Sequence, residues 1–283
     1  MPRVTYIDGA YRAYTDARVP FEDRGYQFAD GVYEVILVRR GRLIDDAPHL
    51  DRLLRSLREL DMPAPCALPV LGQIVRETLR RNRVEDGLVY IQVSRGVAPR
   101  DHVFPKAAKP MLVVSAKRRT WPAADATPKG VSALTVLDER WARCDIKSIG
   151  LLPNVLAKEK ARQAGAAEAI LVSAEGVVHE GGSSNVWIVD RDGVLRTHPL
   201  GPRILGGVTR ATVKTLAEQA QLRLVEEPFR LEDLYEAREA FVTSATSFVK
   251  PIVSIDGRRI GDGEVGPVAQ RLFGDYNAYS LAA

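Results

Sequence analysis

Between residues 117 and 130 the chain stops alternating. On either side, short apolar runs trade with segments of helical period, but this stretch holds Pro122, Pro128 and two alanine-rich steps and keeps neither period. Proline fixes φ and removes a backbone donor, so such a stretch interrupts both helices and sheet ladders. A chain of 283 residues broken here suits two medium domains better than one large core. The expected boundary is near residue 122, with a smaller N-terminal α/β domain over 1–121 and a larger C-terminal α/β domain over 122–283. The fold class expected is α/β in the mixed, α+β sense.

In the first half, Val4 to Ala10 reads as a strand entering an Asp8-Gly9 turn, and residues 23–31 as a loop rich in glycine and charge. Residues 32–38 form a strand, on which Tyr33 and Glu34 fall on opposite faces. Leu50, Leu53, Leu54, Leu57 and Leu60 recur at helical spacing after Pro48. Arg52 lies roughly 135° from the middle of that stripe, so periodicity makes it a solvated arginine. A second helix carries Leu71, Ile74, Val75 and Leu79. Strands at 88–94 and 110–116 flank a long loop, 95–105, whose Arg100 and His102 sit between prolines.

The second half reads as a strand at 131–137, an irregular stretch with Lys147, a helix at 154–165, and strands at 169–173, 177–189 and 194–197. A helix opening at Gly206-Gly207 and running to Leu222, a strand at 240–246, a hairpin at Asp256-Gly257 and a C-terminal helix complete it.

Lys147 has no clean period around it, and a Schiff-base lysine would need partial burial to lower its proton affinity. Glu180 interrupts a strand pattern, so it is either an edge glutamate or a buried carboxylate that must find a partner. Gly206-Gly207-Val208-Thr209 opens a helix, whose free N–H groups make an anion site; Thr209 is equally readable as an N-cap. The cluster Thr243-Ser244-Ala245-Thr246-Ser247 could add donors to the same phosphate.

The composition, 46% hydrophobic and 27% charged, is that of an ordinary globular protein. Cys66 and Cys144 stand apart from each other and from any metal-like histidine spacing, so neither a disulfide framework nor a metal site is expected. The net charge of +4 comes from scattered arginines, without the long basic stripe that nucleic acid would need. No apolar run reaches membrane-spanning length and the stretch from Met1 to Tyr6 lacks the core of a leader, so the cytoplasm is the expected compartment.

Three spaced stretches, Glu180-Gly181-Gly182-Ser183-Ser184-Asn185-Val186-Trp187, Leu195-Arg196-Thr197 and Leu205-Gly206-Gly207-Val208-Thr209-Arg210, resemble the signature of the class IV pyridoxal-phosphate aminotransferases. That group contains branched-chain aminotransferases, aminodeoxychorismate lyases and D-amino acid transaminases. The resemblance extends from Tyr6-Ile7-Asp8-Gly9 to the last strand; Trp187 replaces the usual Phe or Tyr, and Gly182 a serine common in D-amino acid transaminases.

It implies a two-domain fold of that type, with pyridoxal 5′-phosphate in the interdomain cleft. Lys147 would carry the cofactor and act as catalytic base, and Glu180 would hold the ring nitrogen. Arg52 would bind the phosphate with backbone groups of Val208, Thr209 and Ala245; Ser244 and Leu205 complete the implied cofactor set. The loop with Arg100 and His102 looks like the carboxylate trap of D-amino acid transaminases, with Tyr33 beside it. Similar proteins are homodimers that share active sites through this loop. The implied reaction moves an amino group between a D-amino acid, such as D-alanine, and a 2-oxo acid, such as 2-oxoglutarate. A branched-chain L-aminotransferase, an aminodeoxychorismate lyase and a non-catalytic anion-binding module are the alternatives.

Overall fold

Alternating buried residues along the N-terminal strands draw together one sheet, and the leucine stripe of a helix covers it. In this computed structural model, which describes residues 3–282, the first elements are β1 (Val4–Ile7), β2 (Ala10–Ala13), α1 (Arg24–Phe28), β3 (Gly31–Arg39) and β4 (Arg42–Leu43). Met1 and Pro2, part of the stretch read above for a leader, and Ala283 lie outside the described residues. Next come α2 (Asp46–Glu59), α3 (Leu68–Asn82), β5 (Gly87–Ser94) and β6 (Met111–Arg118). The six strands run in the order β2-β1-β6-β5-β3-β4.

The core of this sheet lies under α2 and α3. Leu53 and Leu57 of α2 pack with Leu71 and Val75 of α3 against Ile36 and Val89. Each fully buried leucine contributes about 1.5–3 kcal/mol. Pro48 falls in the first turn of α2, where the missing N–H costs nothing. The segment 23–31, expected as a loop, holds α1: Asp23 caps it by accepting from the Gly25 N–H at 2.9 Å, and Ala29 ends it at φ 56°. Five residues are too few for a hydrophobic period to reveal.

The chain divides into two units. The first runs through Trp121 and takes in Ile146–Gly150; the second comprises Pro122–Asp145 and the chain from Leu151 onward. A single cut near residue 122 is therefore too simple. Ile146 is buried in the core of the first unit, and Ser148 bridges antiparallel to Val32 on the edge of β3 that β4 leaves open. One buried side chain and one bridge are too short a signal to read from the sequence.

The second unit contains β7 (Val131–Leu137), α4 (Leu152–Gln163), β8 (Glu168–Val172), β9 (Val178–Gly181), β10 (Asn185–Val189), β11 (Leu195–Thr197) and α5 (Val208–Gln219). It continues with β12 (Leu224–Glu226), α6 (Leu231–Glu236), β13 (Glu239–Ser244), β14 (Phe248–Ile255), β15 (Arg258–Arg259) and α7 (Pro267–Ala282). Its sheet runs β12-β11-β10-β13-β14-β7-β8-β9, with β15 on β14. The strand expected over 177–189 is two strands, because the Gly181 N–H turns back onto the Ser184 carbonyl at 2.6 Å and that of Gly182 onto Ala169 at 2.8 Å. β9 therefore pairs with β8, and β10 with β13. Among the described residues no helix is long and apolar enough to cross a membrane. Among the described residues, no group of three or more His, Cys, Asp or Glu is placed to hold a metal.

Candidate functional site

In the first unit the site is built on one edge of β3. The Tyr33 N–H donates to the Lys147 carbonyl at 3.0 Å, the Ile149 N–H to that of Gly31 at 3.0 Å, and the Lys147 N–H to Ser56 Oγ at 3.3 Å. Gly31 is required by this approach: a Cβ there would lie 2.8 Å from the Val93 carbonyl oxygen and 2.9 Å from Ile149 Cδ1. Lys147 is half-buried, and its Nζ stands 4.3 Å from the centre of the Tyr33 ring. The Tyr33 ring also lies 5.6 Å from that of Tyr90, whose hydroxyl burial pushes up to about 12.

On the other face of β3, Glu34 meets α2. Its Oε1 accepts from Arg52 Nε at 2.7 Å; Oε2 accepts from Arg52 Nη2 at 2.8 Å and from His49 Nδ1 at 2.7 Å. Burial would raise this carboxyl, but the hydrogen bonds and charge of Arg52, the bond from His49 and the charge of Lys147 outweigh it and bring it to about 2. The solvated Arg52 expected from periodicity is thus corrected: its side chain is 11% exposed. His49, Arg52 and Ser56 form a polar stripe beside the leucines, and buried polar groups escape a period counted in apolar residues.

The loop after β5 is anchored by its backbone. Arg24 Nη1 donates to the Asp101 carbonyl at 2.5 Å, while Arg24 Nε and Arg95 Nε both reach Asp30 Oδ2 at 2.8 Å. The Arg100 and His102 side chains remain exposed and gather on Phe28, with the guanidinium 5.1 Å and the imidazole 5.4 Å from its ring. Tyr33 gathers Lys147 and Tyr90 instead.

In the second unit Glu180 is buried on β9. It accepts from Arg140 Nη1, from Asn185 Nδ2 at 3.2 Å and from the Leu205 N–H at 3.0 Å. Arg140 is fixed in turn by Asp138, through Nε at 2.9 Å and Nη2 at 2.8 Å, and His179 Nδ1 contacts Asp138 at 2.7 Å. Burial opposes the charge of Asp138, yet the bonds from Arg140 and His179 hold its carboxyl well below the usual range. Cys144, which burial pushes up to about 11, is a poor nucleophile.

Gly207 is the N-cap of α5, with no side-chain cap, so Thr209 lies inside the first turn rather than at the cap. Val208 and Thr209 are buried there, and first-turn N–H groups lack partners within the helix. α5 packs on β13, which ends at Ser244. The turn that follows contains Ala245, and in it the Ser247 N–H donates to Ser244 Oγ at 3.2 Å. Trp187 is fully buried, stacked on Phe241 at 5.7 Å, and donates to Thr243 Oγ1, so its departure from the family pattern is a matter of packing. At Gly182 a Cβ would lie 2.6 Å from Lys158 Cγ, so a side chain there would have to displace that of Lys158.

Glu34, His49, Arg140 and Asn185 were outside the residue set drawn from the sequence. Arg140 had one signal, its place in the charged run Asp138-Glu139-Arg140 just past a strand end.

The amino-transferase class IV family model matches residues 31–255. A D-alanine aminotransferase of Staphylococcus haemolyticus is 43% identical over 275 residues, 97% of this chain and 96% of the relative. That of Listeria monocytogenes is 42% identical over 259 residues, covering 91% and 89%. Among solved structures, a branched-chain aminotransferase from Thermoproteus uzoniensis with norvaline has a TM-score of 0.87 at 29% identity, covering 99% of this chain and 95% of its own. A branched-chain amino acid aminotransferase of Escherichia coli has the same TM-score, 0.87, at 24% identity, covering 96% and 92%, a likeness of fold alone. By that match over most of its length, the chain belongs to the class IV aminotransferases.

Proposed function

We propose that this protein transfers an amino group between a D-amino acid, such as D-alanine, and a 2-oxo acid, such as 2-oxoglutarate, in two half-reactions with pyridoxal 5′-phosphate as cofactor. The observation that carries the choice of hand is the near full-length identity to D-alanine aminotransferases, well above that to the branched-chain enzymes of solved structure.

The residues present fit the cofactor. A phosphate needs free N–H donors, and the first turn of α5, which opens at Gly207 with no side-chain cap, has that character. A pyridinium nitrogen needs an acceptor, which the buried carboxylate of Glu180 offers. Bound pyridoxal phosphate supplies an electron sink for the charge left at the substrate's α-carbon.

Lys147 Nζ would accept the substrate's α-proton and hold it for return during the transfer. Glu180 would hold the ring nitrogen. Arg52 would bind the phosphate, as would the backbone N–H groups of Val208, Thr209 and Ala245 and the hydroxyl of Ser244, with Leu205 in the same cofactor set. Arg100 and His102, with Tyr33, take the substrate carboxylate and so turn the α-hydrogen of a D-amino acid toward Lys147. Exposed Phe21 and Tyr26 before and within α1, and Val103 and Phe104 in the anchored loop, support a homodimer that shares this loop across the interface. The compartment proposed is the cytoplasm.

A panel of D- and L-amine donors, read at the cofactor's absorbance in single half-reactions, tests the proposal. D-alanine is expected to convert the cofactor and L-leucine to leave it unchanged; the reverse pattern would make this a branched-chain L-aminotransferase.

A further inference from the structure

Glu34 has no exposed surface, and a carboxylate removed from water has to be matched by charge and hydrogen bonds. α2 supplies both. Arg52 presents Nε to one oxygen at 2.7 Å and Nη2 to the other at 2.8 Å, the fork geometry that fixes a guanidinium plane. His49, one turn earlier on α2, places Nδ1 2.7 Å from Oε2. Arg52 Nη2 and His49 Nδ1 are 3.4 Å apart; both are donors toward an ionised carboxylate, so their closeness reflects the shared acceptor.

The backbone that carries Glu34 is well held. β3 is paired with β5 from Gly31 to Val38, Glu34 standing opposite Ile91. Arginine has many rotamers, and tying its head to a strand of this kind removes most of them before any ligand arrives.

We propose that Glu34, seconded by His49, is a positioning residue for Arg52: it sets the guanidinium in the orientation that receives the cofactor's phosphate. This rests on the reading of Arg52 as a phosphate ligand given above. It implies that Glu34 is felt by phosphorylated ligands and not by the pyridine ring.

The test titrates full-length protein with pyridoxal 5′-phosphate and with unphosphorylated pyridoxal, in the unmodified chain and in Glu34→Gln, His49→Gln, Arg52→Ala and the double variant Glu34→Gln/Arg52→Ala. Glu34→Gln is expected to weaken pyridoxal phosphate roughly 10- to 100-fold, the range of a lost hydrogen bond to a charged group, and to leave pyridoxal almost unchanged. The double variant is expected to bind no more weakly than Arg52→Ala, because Glu34 acts only through Arg52. Equal weakening of both ligands, tighter phosphate binding, or effects that add in the double variant would overturn the proposal. If Glu34→Gln does not fold, His49→Gln carries the test, since it keeps the ion pair and takes away the imidazole Nδ1–H at Oε2. It is expected to lose roughly three- to tenfold on the phosphorylated ligand alone, and an equal loss on both overturns the role. Arg52→Ala that fails to distinguish the two ligands sinks the phosphate reading itself, whereas failure confined to Glu34→Gln leaves that reading standing.

Discussion

Lys147 and Tyr33 are bound to each other twice. The Tyr33 N–H donates to the Lys147 carbonyl at 3.0 Å, and the Lys147 ammonium lies 4.3 Å from the centre of the Tyr33 ring. A cation over an aromatic face gains from the ring quadrupole, and the backbone bond keeps the two residues in step. The amine is therefore presented from a sheet edge rather than from a free loop.

If this amine is the proton carrier, its removal should stop the chemistry without unfolding the chain. Lys147→Ala is expected to lower turnover of D-alanine by at least about 10²-fold and to abolish the absorption band of lysine-linked cofactor. Far-ultraviolet circular dichroism should be unchanged, since the main-chain bonds of residue 147 do not use its side chain. A variant that kept both the band and the turnover would remove Lys147 from the site.

The loop behind Arg100 is pinned by Arg24 through the carbonyl of Asp101, so Arg100 can be truncated without releasing the backbone. Arg100→Ala should raise KM for D-alanine roughly 10-fold or more, as expected for a lost charge-assisted bond, while cofactor affinity changes little. An unchanged KM would argue against a carboxylate trap here.

Glu34 also makes a pH prediction. Its carboxyl is brought from the ordinary 4.5 to about 2 in the folded chain, so the folded state favours the ionised form. The stabilisation is complete above the unfolded value and disappears as pH falls through about 2. The shift corresponds to roughly 3 kcal/mol. In urea unfolding, the stability gap between the unmodified chain and Glu34→Gln should be widest above about pH 5 and close steadily toward pH 2. A gap independent of pH over that window would show that the carboxylate's charge contributes nothing.

The periodic parts of the fold were legible. The leucines of α2 and the strand at 88–94 follow directly from spacing, because a long buried face leaves a repeating mark in the sequence. The site was legible in its spaced motif around Glu180 and Gly207, but not in its supports. Arg52 reads as solvated on a wheel drawn through leucines, since its burial next to Glu34 and His49 is offset by ion pairs that hydrophobicity does not count. The return of Ile146–Gly150 to the first unit was invisible for a related reason. It depends on Gly31 lacking a side chain on another strand, and no local pattern records such a tertiary fit.

Gly207 offers a test of how the carboxylate of Glu180 is kept in place. Its backbone, at φ −65° and ψ 132°, suits any residue, so an alanine there meets a packing problem rather than a conformational one. The new Cβ would collide with the side-chain oxygen of Asn185 and lie 3.2 Å from Arg210 Cβ. Asn185 Nδ2 spans the Glu180 carboxylate at 3.2 Å and the Leu205 carbonyl at 2.9 Å, so pushing it aside loosens both. Gly207→Ala is expected to cost about 1–3 kcal/mol of stability and to weaken cofactor binding. Asn185→Ala, which leaves two polar groups short of a partner, should cost a similar amount. In the double variant the clash with Asn185 has no target and only the tight contact with Arg210 Cβ remains, so the thermal midpoint should lie close to that of Asn185→Ala alone. A midpoint lowered by the full sum of the two single changes would mean that Gly207 acts on something other than Asn185.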